Sequence, residues 1–164
     1  MIANALRIKP HDLCLVPERR QEVTTEGGLE VASRVDFLKA YIGALKDAGI
    51  IVSLFVDPDE RQIAASKKAG ADWVELHTGA YANARAEKDL DREFAKIADA
   101  AKLAASLGLR VGAGHGLNYV NVKRIADIPE VEELNIGHSI ISRSSLVGID
   151  RAVRDMIGLI SIKF

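Results

Sequence analysis

Hydrophobic positions in this chain follow two rhythms that alternate along its length. Short, nearly continuous apolar runs at Leu13–Val16, Ile50–Val56, Trp73–Leu76, Leu109–Ala113 and Val131–Ile136 are rich in β-branched residues, the pattern of strands covered on both faces. Between them, apolar residues recur at helical spacing. Ala32, Val35, Leu38, Ile42 and Leu45 mark a helix over Leu29–Ala48, and further helices are predicted over Glu60–Lys68, Leu90–Ser106 and Val120–Ile125. Ala3–Ile8 reads as the last turns of a helix, and the tail predicts a small helix around Ile140–Leu146 and a longer one around Ile149–Ile160. One device recurs: Lys46-Asp47-Ala48-Gly49, Lys68-Ala69-Gly70 and Ser106-Leu107-Gly108 each end a helix with Gly immediately before a strand. Asp57-Pro58-Asp59 supplies a turn and a cap, and Glu18–Gly28, rich in charge, Thr and Gly, is expected to be a loop.

Strand followed by helix, repeated with short connections, predicts a parallel α/β architecture. A doubly wound sheet is one form of it, but no Gly-rich nucleotide fingerprint follows the earliest strand. Polar signatures instead follow several different strands, which favours a TIM-type barrel whose loops build a site jointly. Five strands are too few for eight. The expectation is therefore an incomplete TIM (β/α)8 barrel, with residues 1–164 as a single α/β domain corresponding to the carboxyl-terminal part of such a barrel. It should expose a broken core and unpaired sheet edges. A smaller complete α/β fold is the alternative.

Bulk properties narrow the partners. Lys and Arg total 22 against 23 for Asp and Glu, with no long run of either sign, which argues against a nucleic-acid groove or an anionic membrane surface. No apolar run approaches the roughly 20 residues of a membrane span, and residues 1–11 lack a secretory apolar core, so a cytoplasmic location is expected. Cys14 is alone, which excludes an internal disulfide, and its apolar neighbours predict a buried, small apolar role.

The chemistry gathers at three strand ends: Glu75-Leu76-His77-Thr78-Gly79, Gly114-His115-Gly116 and Gly137-His138. Glu75 and His77 are two residues apart, so an extended strand points both to one face. A carboxylate in an apolar strand must be solvated, paired or neutralised, which suits it to proton transfer, to stabilising a cation or to a structural ion pair. His115, flanked by glycines, either meets a ligand or turns the chain in a left-handed conformation. Gly137-His138-Ser139 precedes a helix whose first backbone N–H groups can hold phosphate, with Ser139 as a further donor or a cap. Thr24-Thr25-Glu26-Gly27-Gly28 is a second candidate ligand loop, equally compatible with an ordinary turn. His11, His77, His115 and His138 are widely separated and show no zinc spacing, so no metal is expected.

Taken jointly, Lys9-Pro10-His11-Asp12, Cys14-Leu15-Val16-Pro17-Glu18, Arg20–Gly28, Glu75–Gly79, Ala113–Gly116 and Leu134–His138 closely resemble the carboxyl-terminal two-thirds of the bacterial pyridoxine 5'-phosphate synthase family. The resemblance implies condensation of 1-deoxy-D-xylulose 5-phosphate with 3-amino-2-oxopropyl phosphate into pyridoxine 5'-phosphate, inorganic phosphate and water, with no cofactor and with homo-oligomeric assembly. It matches Glu75 to a charge-stabilising catalytic Glu and His115 to a proton-donating His. Thr24, Gly116, Gly137 and His138 match ligand-binding positions, while His77, Thr78, Gly79 and Ser139 are weaker candidates. In the family, three strands carrying another catalytic His, a Glu general base and substrate-contacting residues precede the matched region. The alternatives are a noncatalytic phosphate-binding module and a structural or complementation fragment.

Overall fold

The computed structural model describes residues 2–17 and 27–161. Five strands, β1 (Asp12–Leu15), β2 (Ile51–Val56), β3 (Trp73–His77), β4 (Arg110–Gly114) and β5 (Val131–Asn135), form one sheet in sequence order, and every pairing is parallel. A doubly wound sheet would reverse direction at a switch point; this one adds each strand on the same side, as an incomplete (β/α)8 barrel does. Among the described residues β1 and β5 are its edges.

Helices cover one face. After α1 (Ile2–Ile8) come α2 (Val35–Asp47), α3 (Glu60–Ala69), α4 (Gly79–Asn83), α5 (Glu87–Ser106), α6 (Val122–Ala126), α7 (His138–Val147) and α8 (Ile149–Ile160). The pleat sends Val52, Leu54, Val56, Val74, Leu76, Val111 and Ala113 to that face, where they are fully buried with Ile42, Leu45, Ile63, Ile97 and Ala101 from α2, α3 and α5. Burial of such apolar area is the main favourable term holding the layers together.

The opposite, concave face is a different material. Register aligns Cys14, Ser53, Trp73 and Arg110 in one row, Phe55, Glu75, Gly112 and Glu133 in the next, and His77, Gly114 and Asn135 at the carboxyl ends. The expected broken core is thus mainly polar where it is open. Arg110 lies 3.8 Å over the Trp73 ring and donates to Glu132 at 2.7 and 2.9 Å, so the row nearest the amino ends pairs its own charges. Irregular pairing beside Val111 and Gly112 skips Glu132 and sets Glu133 opposite Gly112.

Several boundaries differ from those read in the sequence. Leu29–Arg34 is not helical, because Leu29 N–H donates to Phe55 O at 2.7 Å while Val31 and Ala32 N–H share the Gln62 side-chain oxygen at 2.8 and 3.1 Å. These long-range bonds outcompete a local helix, and α2 starts only at Val35. Gly79–Asn83, where no helix is predicted, winds into α4, and α5 begins a turn early at Glu87. β3 runs one residue further, through His77. The predicted cap is present: Asp59 accepts from Arg61 and Gln62 N–H at 2.9 and 3.2 Å, and Gly70 closes α3 in the left-handed conformation. Replacing Asp59 with Ala should cost about 1 kcal/mol, read as a lower urea midpoint with an unchanged denaturant slope; an unchanged midpoint would show the cap to be dispensable.

Candidate functional site

An open cleft of about 710 Å³ lies at the carboxyl ends of the strands, and Glu75, His115, Gly116, Gly137, His138 and Ser139 all line it. Each arrives by a different element. Alternation along β3 turns Glu75 inward, the turn after β4 presents His115 and Gly116, and the β5–α7 junction brings Gly137 and His138. Such a volume is in the range of small-molecule sites.

Glu75 is half-buried between Phe55 on β2 and Gly112 on β4, its register neighbours. Gly114 makes room for it: a Cβ there would stand 2.5 Å from Glu75 Oε1. Burial raises the Glu75 carboxyl above the ordinary carboxylate range; the charge of Glu133 adds to that rise, while hydrogen bonding from Cys14 and Asn135 opposes it. The expected apolar role of Cys14 is corrected here. Its sulfur lies 3.6 Å from Glu75 Oε2 on the concave face, and burial together with that carboxylate pushes the thiol up to about 12. A thiol so held is a neutral donor to Glu75 rather than a nucleophile.

His115 adopts φ 81°, a conformation that costs a residue with a side chain. Thr78 holds it there: its hydroxyl lies 2.6 Å from His115 O and 2.8 Å from Gly114 O, and its N–H donates to Gly114 O at 2.8 Å. Gly116 continues the turn at φ 77°, and a Cβ there would collide with Ala82 Cβ at 2.6 Å. Burial lowers the proton affinity of His115, and the neighbouring His77 and His138 lower it further.

At the start of α7, Gly137 is the N-cap residue and makes no side-chain cap bond. The first turn of a helix leaves backbone N–H groups without intrahelical partners and carries a partial positive charge, and this end lies at the cleft. Ser139 does not cap it; its hydroxyl donates to Leu117 O at 2.9 Å and ties the helix start to the loop after β4. Arg143, one turn onward, is engaged by Asp155 rather than aimed into the cleft.

His77, Thr78 and Gly79 sit behind the rim rather than on it. All three are buried, and His77 Nδ1 lies 2.9 Å from Asp57 Oδ1. Thr24 lies outside the described residues. Asp57 and Asn135 were missed in the sequence, although both carried a signal: each stands at the carboxyl end of a strand on the alternation that faces inward. No group of three or more potential metal ligands occurs among the described residues.

Comparison with known proteins bears on this arrangement. The family model for "Pyridoxal phosphate biosynthesis protein PdxJ" matches residues 1–162. The chain is 54% identical over 160 residues to a pyridoxine 5'-phosphate synthase of Geotalea uraniireducens, covering 98% of this chain and 67% of that protein. It is 58% identical over 156 residues to the synthase of a Synechococcus strain, covering 95% and 65%. The chain thus spans about two thirds of the length of these relatives. Among solved structures, an Amycolatopsis orientalis BexX/CysO complex superposes with a TM-score of 0.57 at 14% identity, covering 99% of this chain and 66% of that one. A xylose isomerase domain protein of Planctomyces limnophilus gives 0.54 at 14%, covering 93% and 66%; at such identities the likeness is one of fold. A family model that matches nearly the whole chain, together with relatives more than half identical along it, makes this chain a member of the pyridoxine 5'-phosphate synthase family.

Proposed function

We propose that the chain supplies the phosphate-holding rim and two reacting side chains for the condensation of 1-deoxy-D-xylulose 5-phosphate with 3-amino-2-oxopropyl phosphate to pyridoxine 5'-phosphate, inorganic phosphate and water. One observation carries the proposal. Glu75, His115, Gly116, Gly137 and His138 line one cleft, so a single bound phosphoester can reach both the carboxylate and the imidazole.

The chemistry asks for these groups. An amine adding to a ketone loses water through a cationic nitrogen, and a carboxylate facing that nitrogen lowers the barrier electrostatically. In this proposal Glu75 takes that role, and a bound cation would draw its proton affinity back down. Expelling water and phosphate and closing the ring require proton transfers at neutral pH. His115 is the rim group suited to them, because a lowered proton affinity makes its protonated form the stronger acid. The α7 start and Gly116 hold phosphate so that the reacting carbons stay in register with these side chains. Thr24 belongs to the same proposal as a further contact.

Homo-oligomeric assembly is supported by the exposed apolar residues Ile141, Leu146 and Ile149 on α7 and α8. No helix among the described residues is long and apolar enough to cross a membrane, which agrees with the proposed cytoplasmic location.

Condensation is tested by supplying both phosphorylated substrates to the chain, alone and mixed with the amino-terminal third of a relative, and following pyridoxine 5'-phosphate. Product is expected with the mixture and to fall at least about 100-fold in His115→Ala, while phosphate binding persists; unchanged turnover would remove the proton-transfer role. Tight phosphate binding with no condensation in the mixture would favour a noncatalytic module.

The raised proton affinity of Glu75 also predicts a stability effect. The folded chain binds this proton more tightly than the unfolded chain, so the stabilisation is complete below the ordinary carboxylate pKa and is lost as pH rises through the folded value. Glu75→Gln should therefore melt higher than the unsubstituted chain at about pH 7, with the gain shrinking toward about pH 4. An equal offset at both pH values would contradict it.

A further inference from the structure

His77 is held far more closely than packing requires. It is 8% exposed, with the Phe55 ring 5.1 Å from its own and the His115 ring 5.0 Å away. Asp57 Oδ1 meets Nδ1 at 2.9 Å, and the same oxygen accepts Gly28 N–H at 3.0 Å, so the carboxylate is itself fixed. Nε2 is buried without a hydrogen-bond partner. It points into the narrow space shared with the rim: a Cβ at Gly79 would stand 2.5 Å from His77 Nε2 and 3.1 Å from His115 Cδ2. A ring serving only as apolar filler needs neither a carboxylate on one nitrogen nor an orphaned nitrogen on the other.

We propose that Asp57 and His77 are positioning residues for His115: the carboxylate orients the His77 imidazole through its Nδ1–H, and that fixed ring backs the His115 imidazole so that positive charge on it competes with a proton on His115. The proposal rests on the reading of His115 as the proton-transferring group of the rim. The groups that set the competition come from each element around His115. His77 and Glu75 stand on β3, Asp57 follows β2 behind His77, and His138 begins α7, whereas α4 presents Gly79. Positive charge on the His77 ring, held from its far side by Asp57, lies one ring from His115 in a partly desolvated site, so His115 gives up its own proton more readily. The lowered proton affinity of His115 agrees in direction.

The test is a histidine-ring NMR titration of the 164-residue chain and of His77→Gln and Asp57→Asn. His77→Gln should raise the proton affinity of His115 at least about threefold, and Asp57→Asn should raise it as well, because the His77 ring then loses the carboxylate that orients it and holds its charge. Amide spectra confirm that each variant retains the fold. A His115 curve unshifted in folded His77→Gln would overturn the proposal; if His77→Gln does not fold, a His115 curve unshifted in Asp57→Asn would do so. A shifted His115 curve with no condensation in the mixing assay would remove the proposed reaction and leave the pair standing. Condensation with an unshifted His115 would remove the pair alone.

Discussion

The pleat of a parallel strand sends successive side chains to opposite faces, and in this sheet that alternation separates adhesion from chemistry. Val52, Leu54, Val56, Val74 and Leu76 face the helices and are fully buried, which anchors the strands. Their alternate neighbours Ser53, Phe55, Glu75 and His77 face the concavity. A one-residue slip of β3 would carry Glu75 and His77 into the apolar layer and Val74 and Leu76 into the cleft. The register is therefore held by the whole outer layer, and the position of Glu75 is inherited from it.

That dependence explains which parts were legible in the sequence. Apolar runs and the Gly that ends each helix revealed strands, helices and their order, because both signals are local. The two-residue spacing of Glu75 and His77 gave their common face. What depended on distant partners was hidden: Leu29–Arg34 has helical spacing but is drawn away by Gln62 and Phe55, more than 20 residues off, and nothing local announces it. Cys14 misled for the same reason, since its apolar neighbours describe the other face of β1 while its own neighbour is Glu75. Asp57 reads as part of a turn and only the fold brings it to His77.

The rim also shows how glycine and strain divide the work of positioning. Gly114 vacates space that the Glu75 carboxylate uses, whereas His115 is forced into a left-handed backbone held by the Thr78 hydroxyl. The strained residue and the buried carboxylate both raise the free energy of the folded chain, and the apolar layer beneath them offsets that cost. Their cost is local to the cleft, where the reaction proposed for the family needs an inward charge and a proton-carrying ring.

The proposed grip on a phosphorylated ligand comes from the start of α7 and the turn after β4. Titrating the isotopically labelled chain with inorganic phosphate while following backbone amide resonances tests it directly. The largest saturable shifts should fall on Gly116, Gly137, His138 and Ser139; shifts spread over surface lysines, or none at these four residues, would contradict the account.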